Sequence, residues 1–140
     1  MAGLQDAIAK LRSWAAASSQ IANAGAIAMA AVAQREVQSQ LGTSSHAKGE
    51  PTPSAPGSPP ALVSGQLRRS VMIKPAGSAH YQVGGTTVYA RIQELGGQAG
   101  RDHASTLPPR PYLAPALKKV TSDGTMRAAA LQVISKMLEG

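Results

Sequence analysis

The chain has 140 residues, a formal net charge of +7 and no cysteine, which excludes disulfides and thiolate metal sites outright. Hydrophobic residues make up 43% but aromatics only 3%, with no Phe, so the core must rest on Ala, Leu, Ile, Val and Met, a set that suits closely packed helices better than a thick sandwich. A sequence pI near 10.3 predicts attraction to a polyanion such as nucleic acid, or to acidic faces of partner proteins.

From the N-terminus, Leu4, Ile8, Leu11 and Ala15 recur at helical spacing and fall on one face. The apolar line rotates around Ser18-Ser19, beyond which Ile21, Met29 and Val32 lie on another line. This predicts two helices, about 3–16 and about 19–41, with the serines capping the second, or else one curved helix. Gly42 is a natural stop. The opening residues Met1 to Asp6 lack the basic start of a signal peptide. The Ala-rich run Ile21 to Ala33 is shorter than the ~20 residues a membrane span needs, so it reads as a packed helix and no membrane partner is expected.

Residues 43–61 change character, running from Thr43-Ser44-Ser45-His46 into Glu50-Pro51-Thr52-Pro53-Ser54-Ala55-Pro56-Gly57-Ser58-Pro59-Pro60. Repeated Pro breaks helix and sheet ladders alike, which predicts an exposed loop inserted within one domain spanning 1–140. Ser64 to Ser70 reads as a short helical turn with Ser64 as cap, and Val71 to Lys74 as a strand. After the turn residues Pro75-Ala76-Gly77, Ala79, Tyr81 and Val83 alternate on one side of a second strand, completing an antiparallel hairpin. Val88 to Leu95 reads as a two-turn helix closed by Gly96-Gly97, and Gln98 to Pro109 as a polar loop. Arg110-Pro111-Tyr112-Leu113-Ala114-Pro115 opens a C-terminal helical region, which Asp123-Gly124 kinks or interrupts. The expected fold class is α+β: a small hairpin-based antiparallel sheet packed against a long N-terminal helix and a C-terminal helix, with a Pro-rich loop insertion.

Convergent chemistry is scarce. His46, His80 and His103 are scattered without metal-ligand spacing, and the seven carboxylates offer no acid–base pair. Gly84-Gly85-Thr86-Thr87 lacks the Lys of a P-loop and reads as a turn. No enzyme activity, metal or cofactor is expected.

Three segments of the second half carry a resemblance. Ser64-Gly65-Gln66-Leu67-Arg68-Arg69-Ser70 resembles the "T-G-x-L-R-x-S" segment of a family of small neck and tail-completion (head–tail joining) proteins of long-tailed bacteriophages. Tyr89-Ala90-Arg91-Ile92-Gln93-Glu94-Leu95-Gly96 is similar to that family's "Y-A-x-x-x-E-x-G" segment, and Arg110-Pro111-Tyr112-Leu113-Ala114-Pro115-Ala116-Leu117 to its "R-P-F-L-x-P-A-L" segment. The motifs cover the chain from about residue 62 onward; the first 42 residues match by pattern alone. Tyr112 stands where Phe is commoner, and the Pro-rich insert exceeds the family's usual short link. The resemblance implies a structural virion protein at the neck or tail end, made in the host cytoplasm. It implies a ring of copies, usually a hexamer, that completes the tail or joins it to the head, contacts neighbouring phage neck and tail proteins, and lets genomic DNA pass without sequence preference. A minor tail or tail-terminator component, or a sequence-independent DNA-binding accessory protein, are the alternatives.

Read physically, these motifs are mostly fold-keeping. Gly65 and Gly96 are expected to take positive φ at turns, and Leu67 and Tyr89 to anchor short helices on the sheet. Pro111 and Pro115 suit a helix start. Glu94 and Arg110 are expected to form an ion pair holding the 98–109 loop. Arg68 and Arg69 are neighbours on a short helix and point apart, so at least one is exposed. Together with Lys74 they are the candidates for contact with DNA in a ring lumen or with an adjoining subunit, plain solvation being the alternative. A closed ring needs two different surfaces per subunit, and the Ala-rich N-terminal and C-terminal helices are the candidates.

Overall fold

The computed structural model describes residues 2–43, 45, 54–62 and 64–139. The chain is mixed helix and sheet. Two N-terminal helices, α1 (Ala2–Ala16) and α2 (Ser18–Gln40), are followed by a short helix α3 (Gln66–Arg69). Strands β1 (Val71–Gly77) and β2 (His80–Gly85) form an antiparallel hairpin. Then come α4 (Ala90–Leu95), a small second hairpin of β3 (Gly97–Ala99) and β4 (Ser105–Leu107), and the C-terminal helices α5 (Leu113–Ser122) and α6 (Thr125–Glu139).

The spine is α2. It packs against the β1–β2 hairpin and against both α5 and α6, and buries Ala30, Val32, Ala33 and Val37. With small side chains on this helix, its neighbours approach closely, as the shortage of aromatics requires. The innermost residues are Val37 and Leu41 from the end of α2, Val71 from β1, and Tyr112 and Ala116 from the start of α5, with Leu67, Val83 and Leu113 around them. Tyr112 is fully buried.

The helix break lies at Ala17, where the rotating apolar line placed it, and the two axes bend by 59°. The expected serine caps do not form: Ala17 occupies the N-cap position and no side chain caps α2. Continuous backbone bonds across the break, Ala17 N to Ser13 O and Ile21 N to Ala17 O, leave the serines nothing to satisfy. The β1–β2 hairpin is longer than expected. Tyr81 and Val83 do alternate with exposed His80 and Gln82, but Ala79 lies in the turn at φ +51° rather than on the strand. The polar loop expected over 98–109 contains the β3–β4 hairpin, closed by a 3-10 turn at Arg101–His103 in which Asp102 and His103 both take positive φ.

The Pro-rich segment divides. Residues 46–53, with His46, Glu50, Pro51, Thr52 and Pro53, lie outside the described residues. Within 54–61 the expected exposure holds for Ala55 to Ser58, but the segment is also tethered: Pro60 is buried, Gly57 N donates to Pro109 O at 2.9 Å, and Ser45 bridges to Leu62. Pro side chains cannot extend a ladder, yet their rings cover apolar surface well.

Candidate functional site

The three resembling segments meet. Tyr89 donates from its hydroxyl to Gln66 Oε1 at 3.2 Å, joining the second segment to the first. Tyr112 donates from its hydroxyl to Ala90 O at 3.1 Å, joining the third to the second. Glu94 completes the junction: its carboxylate accepts the backbone N–H groups of Tyr112 (2.6 Å), Leu113 (2.9 Å) and Ala114 (3.0 Å). These are the unpartnered donors at the start of α5, and the next residue, Pro115, has none to offer. A negative charge there also suits the positive end of the helix dipole. The Tyr112 hydroxyl has its pKa pushed up to about 12, first by burial and then by the nearby Glu94 charge, so the phenol stays protonated.

The expected Glu94–Arg110 ion pair is not made. Glu94 is occupied by three backbone donors, while Arg110, itself buried, donates through Nε to Ser54 O at 2.9 Å and through its backbone N to Gln93 O at 2.7 Å. Arg110 therefore holds the Pro-rich segment rather than the 98–109 stretch. Gly65 and Gly96 sit at φ +75° and +69°, and Leu67 is half-buried against the core. Pro111 precedes α5 by two residues instead of opening it, because the helix begins at Leu113.

The three candidate cations do not converge. Arg68 and Arg69 are both exposed and line one shallow depression with Gln38 and Leu62; Arg69 turns back to donate to Ser64 O at 3.0 Å. Lys74 stands exposed on β1, three residues beyond the start of the strand. Among the described residues the one ion pair is Lys119 Nζ to Glu36 Oε1 at 3.0 Å, between α5 and α2, which sequence reasoning did not single out.

A larger feature was also not foreseen. An open groove of about 560 Å³ runs along α2. Ala26, Met29 and Ala33 form its floor, Tyr81 and Val83 one wall, and Leu117 and Met126 the other. The short Ala side chains leave the floor low between taller walls. The hydroxyl of Tyr81 donates to Asn23 Oδ1 at 2.6 Å and so fixes one wall to the spine. The ionisable side chains on this lining are His80, Tyr81 and Glu94. Of these, Tyr81 is bonded to Asn23 and Glu94 to the α5 start, so the groove offers apolar contact rather than a paired acid and base. Among the described residues, no three His, Asp or Glu side chains gather in a way that holds a metal ion.

At the far end of α2, α1 stands apart. Leu4 and Leu11, on the stripe recognised in sequence, are 60% and 59% exposed, and none of the α1 residues from Gly3 to Ala16 is buried. Lys10 lies over the Trp14 ring, 5.5 Å from its centroid, on a flank of the same helix. Among the described residues no single helix is long and apolar enough to cross a membrane. Comparison with family models, with curated proteins and with solved structures yields no match to this chain.

Proposed function

We propose that this chain is a structural subunit of a tailed-phage particle that forms a ring at the head–tail junction, completing the tail end or joining tail to head, and that it acts by contact rather than by catalysis. The observation that carries the reading is unmet apolar surface: Leu4, Leu11, Leu117, Leu131 and Leu95 are each more than half exposed, and none of the α1 residues from Gly3 to Ala16 is buried.

The resemblance of three segments supplies the station at the neck, and their joining through Tyr89, Tyr112 and Glu94 explains why such segments would travel together. The net charge of +7 fits a subunit beside a DNA channel or an acidic neighbour. Contacts of that kind carry no base readout, so any DNA binding is weak, salt-sensitive and indifferent to sequence.

The decisive experiment images particles made by a phage whose gene for this chain is deleted. Full heads and separate tails are expected. Tails of uncontrolled length would point instead to a tail terminator, and normal infectious virions would end the reading.

A further inference from the structure

We infer that α1 of one copy lies in the apolar groove of the next, so that the ring is closed by exchange of the N-terminal helix between subunits. The inference rests on the ring reading above and adds the identity of the two faces. Each copy carries one helix with an exposed apolar stripe, Leu4 and Leu11 with half-buried Ile8 between them, and one open apolar groove built on α2. Helix and groove are different surfaces, so their contact can run head-to-tail from copy to copy around a ring, whereas two copies exchanging α1 reciprocally would close as a symmetric dimer that yields no ladder in the cross-linking test below.

Geometry favours a second copy over self-docking. α1 joins α2 through Ala17 alone, with the two axes bent by 59°. Lying back along α2 over the groove, whose α2 lining begins at Ala26, would require a bend of nearly 180° at that one-residue joint. The size also fits: a 15-residue helix is about 22 Å long, enough to cover the α2 lining of the groove from Ala26 to Val37, a span of about 16 Å. The side chains are complementary in kind: branched Leu and Ile enter, Ala and Met receive, and Met adapts to an incoming shape.

The absence of native cysteine makes the test direct. Leu11→Cys and Leu117→Cys are prepared as separate full-length proteins, mixed and oxidised, with Leu4→Cys as a second position on α1. A disulfide between the two different chains is expected, and the Leu11→Cys, Leu117→Cys double variant is expected to give a ladder of linked chains. In parallel, light scattering follows mass for the wild type, for Leu4→Glu with Leu11→Glu, and for Leu117→Asp. All three positions are more than half exposed, and circular dichroism checks that each variant stays folded. Both charged variants are expected to fall to the 14.3 kDa monomer, while Val88→Glu, fully exposed and away from both faces, leaves the wild-type mass unchanged.

An oligomer that survives both charged variants and yields no cross-link would overturn the exchange while leaving the ring intact. A disulfide formed only within single chains would overturn it too. A wild type that is monomeric up to millimolar concentration would sink both the exchange and the ring. Binding of the wild type to phosphatidylcholine–phosphatidylglycerol vesicles, lost in Leu4→Glu with Leu11→Glu and without cross-linking, would assign α1 to a membrane surface instead.

Discussion

Glu94 lies 2.6 Å from the backbone nitrogen of Tyr112, and the same carboxylate takes the next two backbone donors of the chain. A helix start is usually capped by a Ser, Thr, Asp or Asn beside it; α5 is capped from α4, 18 residues earlier. Glu94→Ala leaves three donors without an acceptor and is expected to cost about 2–3 kcal/mol of stability. Glu94→Gln keeps one acceptor oxygen but loses the charge at the helix terminus, and is expected to cost about 1–2 kcal/mol. Urea unfolding of the two variants checks both the size and the order.

Gly96 follows that helix directly at φ +69°, and a Cβ there would lie 2.8 Å from both Leu107 O and Pro109 N. Both obstacles are backbone, so neither can swing aside. Gly96→Ala is expected to lose more than about 2 kcal/mol from left-handed strain and overpacking together. Thermal unfolding is the measurement, and a drop in midpoint of less than a few degrees would refute the close approach.

Arg110 ties the Pro-rich segment to the body through Ser54 O, beside the bond from Gly57 N to Pro109 O. Arg110→Ala removes the side-chain tie and leaves the backbone one. Cleavage within 54–62 by a non-specific protease such as proteinase K is expected to rise several-fold while the helices remain protected. Equal cleavage of variant and wild type would mean that the segment is held by its Pro contacts alone.

What could be read from sequence follows the range of the interactions. The two N-terminal helices, their break near residue 17 and the interruption at Asp123-Gly124 are local signals, carried by apolar period and by Gly, and they lie where that period put them. Gly65 and Gly96 were legible for the same reason: they punctuate turns. The β3–β4 hairpin was not, because strands of three residues are too short to display alternation. Glu94 was recognised as important but given the wrong partner. Opposite charge suggested Arg110, whereas the stronger demand came from a helix start whose own residues, Pro111-Tyr112-Leu113, contain no capping side chain. That missing local cap was the available clue. The groove could not be read at all, since its floor and walls come from α2, β2, α5 and α6, and no spacing along the chain joins them.

The Lys119–Glu36 pair spans α5 and α2 at 3.0 Å, with the Lys side chain 57% exposed and the Glu 14%. Solvent screens such a pair, so Lys119→Ala is expected to cost less than about 1 kcal/mol. Glu36→Ala is expected to cost somewhat more, because Glu36 Oε1 also accepts from Gln40 Nε2 at 3.0 Å. A double-mutant cycle at low and high salt tests this. A coupling that is large and unaffected by salt would contradict the exposed geometry.

Tyr112 couples stability to alkaline pH. Its folded pKa is pushed up to about 12, chiefly by burial, whereas the unfolded chain titrates near the ordinary value of about 10. Below that ordinary value both states hold the proton, and the stabilising contribution of the buried phenol is fully present. Between about 10 and about 12 the unfolded state loses its proton while the folded state keeps it, so stability falls as pH rises. Beyond the folded value the loss levels off, at roughly 2–3 kcal/mol for a shift of this size. Tyr112→Phe separates this from general alkaline unfolding. It gives up the hydroxyl bond to Ala90 O, costing about 1 kcal/mol at neutral pH. It also has no proton to lose, so its stability should decline less steeply across the same window and approach or overtake the wild type near pH 12. Parallel decline of the two proteins would show that another group governs the alkaline limb.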